Sequence, residues 1–247
     1  MTQALRLAII GDPVDHSRSP ALHRALLSQT KRAGTYDAIR VAAGDGARAI
    51  EALRAAGYMG LNVTTPLKEE AFAFAAVRDA AAATSGSANT LVLGATVAAF
   101  DTDGAGARGA LAAAGLGDVA GRVIVVLGTG PTARACANAF ARAGARTLVW
   151  SRTPGRAAAV AGRLGCEPWS PAVELDAAFS TLPPQAQPAD VALVAALRSA
   201  PVVVDANYGS RATLGSFLDR AVHDGEAMLR ASARASFQIF SSARRDR

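Results

Sequence analysis

Residues Arg122 to Ala135 read R-V-I-V-V-L-G-T-G-P-T-A-R-A, and no other stretch restricts the fold as strongly. An aliphatic run, Val123 to Leu127, stops abruptly at Gly128-Thr129-Gly130. Pro131 follows, then an alanine-rich segment of helical character up to Gly144. A buried run, a glycine turn and a helix, in that order, are a parallel strand feeding a crossover helix. The spacing G-x-G-x-x-A is a variant of the dinucleotide fingerprint. In that scheme Gly128 permits the turn, Gly130 lets a pyrophosphate approach the backbone, and Ala133 packs the helix close to the strand. Pro131 suits the first helical position, where no backbone donor is needed. Gly128, Thr129, Gly130, Pro131, Thr132 and Ala133 are therefore the candidate cofactor-binding turn; an ordinary strand-to-helix connection is the plainer alternative.

The second strand of this unit spans Thr147 to Trp150 and ends in S-R-T-P-G-R at 151 to 156. A fold that takes NAD carries an acidic residue here for the ribose hydroxyls. Ser151, Arg152, Thr153 and Arg156 stand there instead, a set suited to the 2′-phosphate of NADP. Two solvated arginines at a helix start fit the same residues. Phe179 to Pro184 and Val202 to Tyr208 read as further parallel strands running into loops, Thr213 begins another helix, and Glu226 to Phe240 supplies the last.

The N-terminal half has its own alternation. Leu5 to Ile10 reads as a strand, followed by Gly11-Asp12-Pro13 and by H-S-R-S-P at 16 to 20. Ser19-Pro20 is a helix start, cap then first-turn proline. Ser17 and Ser19 are capping residues on spacing alone, although two hydroxyls at a helix start also make a carboxylate site. Tyr36 to Val41 is a second strand, Ala47 to Ala56 an amphipathic helix, and Leu61 to Thr64 a strand end. Pro66 is expected to start a helix with Lys68 in its first turn, where a cation opposes the helix dipole. S-G-S-A-N-T-L-V-L at 85 to 93 leads a loop into a strand. D-T-D-G-A-G at 101 to 106 offers two carboxylates, Asp101 and Asp103, that serve as caps or as site groups.

Lys68 stands out further in the charge inventory. Of 26 basic residues only Lys31 and Lys68 are lysines. Arginine cannot release a proton near neutrality, whereas lysine can. Lys31 sits at a polar helix end; Lys68 is the acid-base candidate.

The remaining composition sets bounds. The net charge of +6 fits a polyanionic small molecule, RNA, or a solvated arginine surface. The arginines are scattered without interleaved aromatics, and only Arg244, Arg245 and Arg247 cluster. No apolar run reaches membrane-spanning length, and no secretion signal is recognisable. Cys136 and Cys166 form no C-x-x-C pair, so thiols in a reducing cytoplasm are expected.

Taken together the motifs resemble shikimate dehydrogenases over nearly the whole chain. They are G-D-P-V-D-H-S-R-S-P at 11 to 20, N-V-T-T-P-L-K at 62 to 68, G-S-A-N-T-L-V at 86 to 92 and D-T-D-G-A-G at 101 to 106. The fingerprint, S-R-T at 151 to 153, D-A-N-Y at 205 to 208 and M-L-R-A-S-A-R-A-S-F at 228 to 237 complete the series. The resemblance implies an α/β enzyme with an N-terminal substrate domain, residues 1–103, and an NADP-binding Rossmann domain, residues 104–225. A final helix, within 226–247, would return to the first domain. It implies reversible, NADPH-dependent reduction of 3-dehydroshikimate to shikimate, in the biosynthesis of chorismate and aromatic amino acids. Ser17 and Ser19 would hold the substrate carboxylate, Thr64, Asn89 and Asp103 its ring hydroxyls, and Tyr208 and Ser232 would line the substrate site. Lys68 and Asp103 would form the catalytic pair. A monomer or homodimer with no nucleic-acid or membrane partner is expected. Departures bear on the substrate: Asp101 stands where the family usually has asparagine, and Ser232 where it usually has a substrate-contacting glutamine. Pro131 replaces a frequent glycine. A dehydrogenase of quinate or an aminoshikimate is the alternative, as is a nucleotide-binding regulator, against which Lys68 and Asp103 argue.

Overall fold

Along the first strand the side chains divide by parity. Leu5, Leu7 and Ile9 join Leu27, Tyr36, Phe237 and Phe240 in one cluster, whereas Ala8 and Ile10 join Val41, Ile50, Leu61 and Val63 in another. Such alternation, apolar on both sides, marks a sheet covered on both faces. The computed structural model describes residues 4 to 243, and its contacts divide the chain into two units. The first unit runs to Thr102 and resumes at Ser232; the second is Asp103 to Ala231.

In the first unit the elements are β1 (Leu5–Gly11), α1 (Ser19–Gln29), β2 (Gly34–Arg40), α2 (Gly46–Ala55), β3 (Gly60–Val63) and α3 (Lys68–Phe74). There follow β4 (Val77–Arg78), α4 (Ala80–Ser85), β5 (Thr90–Leu93) and β6 (Val97–Phe100). The sheet order is β2-β1-β3-β5-β6-β4, with β5 antiparallel to both β3 and β6. That reversal sets the start of β5 beside the ends of β3 and β6: Asn62 pairs with Thr90, and Thr90 with Phe100. Gly60 opens β3 beneath Phe240, whose ring an added Cβ would strike.

In the second unit come α5 (Asp103–Ala113), β7 (Val123–Leu127), α6 (Pro131–Arg142), β8 (Arg146–Trp150), α7 (Pro154–Leu164) and β9 (Glu167–Pro168). After them are β10 (Ala177–Ser180), α8 (Val191–Ser199), β11 (Val202–Asp205) and α9 (Leu214–Leu218). The sheet is parallel throughout, in the order β11-β10-β7-β8-β9. Strand order therefore reverses between β7 and β10, the switch point at which open α/β sheets place ligands. Along β7, Ile124 and Val126 enter one core and Val125 and Leu127 the other. The final helix, α10 (Glu226–Ser242), begins in this unit and counts with the first unit from Ser232.

The local starts differ from expectation at two places. Pro66 does not begin α3: the Leu67 N–H bonds the Thr64 carbonyl at 3.0 Å, closing a turn, and the helix begins at Lys68. Ser19 is not the cap of α1 but its first residue, and the Ser17 hydroxyl accepts from the Ser19 N–H at 3.2 Å. The arginine cluster of Arg244, Arg245 and Arg247 lies outside the described residues. Among the described residues no helix is long and apolar enough to cross a membrane, and no His/Cys/Asp/Glu group could hold a metal.

Candidate active site

A continuous line of hydroxyls and amides crosses the first unit at the ends of β3 and β6. The Ser19 side chain lies near the Tyr36 hydroxyl, which donates to Asn62 Oδ1 at 2.7 Å. Asn62 Nδ2 donates to Thr90 Oγ1 at 3.2 Å, and Thr90 Oγ1 to Asn89 Oδ1 at 3.0 Å. The same Asn89 oxygen takes the Thr102 N–H at 2.9 Å and the Thr102 hydroxyl at 3.1 Å. Thr102 Oγ1 then lies 2.8 Å from Ser232 Oγ, which Asn89 Nδ2 approaches at 3.5 Å. With three donors on its oxygen, the Asn89 amide has one orientation. Tyr36 is fully buried, and burial pushes its hydroxyl well above the usual phenol range, so it remains a neutral donor.

Lys68 stands beside this line. It is buried, the first residue of α3, and its carbonyl accepts the Ala88 N–H at 2.9 Å, tying the helix start to the residue before Asn89. Thr64 caps the end of β3 next to Gly11, where an added Cβ would strike the Thr64 methyl and come within 2.9 Å of the Thr65 carbonyl. Glycine at position 11 thus admits Thr64 to the edge. Asp101 serves a different end: its buried Oδ2 accepts the hydroxyls of Ser85 at 2.8 Å and Ser87 at 3.0 Å. These bonds join α4 and the loop before β5 to the end of β6.

The second unit carries the glycine turn. Gly128 has φ +121°, a conformation that disfavours any side chain, and an added Cβ would lie 2.5 Å from Thr181 Oγ1 at the end of β10. Gly130 caps α6 without a side-chain bond, and a Cβ there would meet nothing within 4 Å. Open space at a bare helix start, beside the switch point, is what an anionic dinucleotide needs. Ala133 is buried against the strand. Ser151 Oγ donates to the Thr153 carbonyl at 2.7 Å and closes the turn after β8. Arg152 and Arg156 project from it exposed, their guanidinium groups bonding to none of the described residues. The residues present therefore fit a phosphorylated dinucleotide. Tyr208, half-buried, follows β11 in a loop held by Asp205, which takes the Asn207 N–H at 3.0 Å and the Leu214 N–H at 3.2 Å. Asp103, buried, begins α5, and its Oδ2 accepts the Thr132 hydroxyl at 3.1 Å.

Tyr36, Asn62, Thr90 and Thr102 are members of the polar line that the motif reading did not single out. Thr90 and Thr102 stand inside quoted motifs without a role of their own, and Asn62 left a further signal, a polar residue between Leu61 and Val63 in an otherwise apolar strand.

Comparison with known proteins follows the same division. A family model described as the shikimate dehydrogenase substrate binding domain matches residues 9–91. One described as NADP oxidoreductase coenzyme F420-dependent matches residues 123–209. A shikimate dehydrogenase (NADP(+)) of Methanococcoides burtonii is 38% identical over 158 residues, 64% of this chain and 58% of that enzyme, so the match spans under two thirds of the curated relative's length. The crystal structure of a shikimate 5-dehydrogenase from Mycobacterium fortuitum is 30% identical with a TM-score of 0.78, covering 100% of this chain and 96% of that one. The Thermus thermophilus enzyme in complex with NADP(H) and shikimate is 28% identical with a TM-score of 0.84, covering 98% and 95%. With its fold, motifs and matches in agreement, the chain belongs to the shikimate dehydrogenase family.

Proposed function

We propose that this protein catalyses the reversible, NADPH-dependent reduction of 3-dehydroshikimate to shikimate, a step toward chorismate and the aromatic amino acids. The observation that carries this reading is a buried lysine whose backbone is anchored next to Asn89, a member of a line of groups suited to a polyhydroxylated ring. Bound NADPH supplies the hydride. Reduction of a ketone builds negative charge on its oxygen, and the Lys68 ammonium stabilises that charge and donates the proton. In the reverse direction the neutral amine takes the hydroxyl proton back. Asp103 is the carboxylate that works with Lys68 and with the ring hydroxyls. Ser17 and Ser19 hold the substrate carboxylate, Thr64 and Asn89 the hydroxyls, and Tyr208 and Ser232 complete the substrate set. The turn from Gly128 to Ala133 receives the pyrophosphate. Ser151, Arg152, Thr153 and Arg156 receive the 2′-phosphate, as the open helix start and the unengaged arginines suggest.

Ser232 favours a second substrate reading, a related cyclic acid such as quinate, because a serine reaches less far than the family's glutamine. Cys136 and Cys166, the chain's two cysteines, form no disulfide, which supports a reducing, cytoplasmic setting for an enzyme acting as monomer or homodimer. The test is absorbance at the reduced nicotinamide band with shikimate or quinate and either oxidised cofactor. Growth of the band with shikimate and NADP⁺ is expected. Its absence with both acids would overturn the proposal, and a response to quinate alone would move it to the second substrate.

A further inference from the structure

Thr132 lies in the fingerprint turn, where a side chain is expected to serve the cofactor. Its hydroxyl instead donates to Asp103 Oδ2 at 3.1 Å. Two features of the second unit make this contact a built one. Asp103 is 7% exposed, so protein donors rather than water orient its carboxylate. The next residue, Gly104, lies against α6: an added Cβ would come 2.7 Å from Ala139 Cβ and 3.1 Å from the Ala135 carbonyl. Backbone contact at Gly104 locks α5 to α6 and brings residue 103 to the first turn of α6. The start of that helix also favours a negative charge.

We propose that Thr132 is a positioning residue for Asp103. Holding one carboxylate oxygen fixes the plane of the group and hence the direction of the other oxygen. The cofactor is then held by the backbone of the turn, with the Thr132 side chain working for the substrate half of the reaction. This inference rests on the reading of Asp103 as one of the catalytic pair.

Thr132→Val keeps the shape of the side chain and removes the donor; Thr132→Ser keeps the donor. Thr132→Val is expected to lower kcat/KM for shikimate by about tenfold, the loss expected for one hydrogen bond to a charged group. NADPH affinity, read by fluorescence titration without turnover, should stay within about twofold, and Thr132→Ser should recover most of the activity. An unchanged kcat/KM in Thr132→Val, an equal loss in Thr132→Ser, or a parallel loss of NADPH affinity would each overturn the positioning role. Asp103→Asn separates the two levels. If it is impaired while Thr132→Val is not, only the inference fails; if Asp103→Asn retains full activity, the catalytic reading beneath it fails.

Discussion

The hydroxyls of Thr102 and Ser232 lie 2.8 Å apart, and Thr102 also donates to Asn89 Oδ1 at 3.1 Å. Ser232 is therefore a terminal member of the polar line, and Thr102 keeps a partner without it. Ser232→Ala should cost less than about 1 kcal/mol of stability in thermal unfolding. Ser232→Gln, which restores the family's longer amide, should lower KM for shikimate about fivefold or more by supplying a missing contact. Loss of all activity in Ser232→Gln, with no bulkier acid turned over by the unmodified enzyme, would mean that the site is built around the serine.

Lys68→Ala should reduce kcat by roughly two to four orders of magnitude, with a smaller change in KM. Lys68→Arg should be nearly as impaired, since a guanidinium does not release its proton near neutrality. Steady-state kinetics decide it. An active arginine variant would leave position 68 an electrostatic role only.

NADP⁺ should be preferred over NAD⁺, because Arg152 and Arg156 are exposed and uncommitted at the end of β8. Arg152→Ser should weaken NADP⁺ by about ten- to a hundredfold and leave NAD⁺ unchanged, as expected for one charge-assisted bond. Equal kcat/KM for both cofactors in the unmodified enzyme would contradict this.

His23 is buried, stacked on Tyr36 at 4.3 Å between ring centres, and desolvation lowers its pKa from 6.5 to about 4. The unfolded chain then binds a proton between those values that the folded chain refuses. This contribution to stability is complete above pH 6.5 and is lost as pH falls toward 4, up to about 3 kcal/mol. His23→Phe keeps the stacking without the proton. Its melting temperature should fall less steeply across that pH range; identical slopes in the two proteins would exclude His23 as the source.

The glycine turn was legible because its signals are local. A positive φ at Gly128 and a proline at the start of α6 are properties of single residues, and they stand beside the strand they terminate. The polar line was less so. Asn62, Asn89 and Thr102 meet because β5 runs antiparallel between β3 and β6, and no short window contains that reversal. Thr132 read as a cofactor residue because Gly104, which brings α5 against α6, lies far from it in sequence. β4 and β9, of two residues each, are too short for any alternation to register.

Phe240 covering Gly60 bears on how the chain is made. The ribosome completes β1 to β6 long before it reaches α10, yet Phe237 and Phe240 close one face of that first sheet. The residues from Asp103 to Ala231 are all present earlier and can fold while the first sheet waits. A nascent chain halted before Phe237 would carry a finished second unit and an open apolar sheet face, the kind of surface chaperones bind and proteases attack.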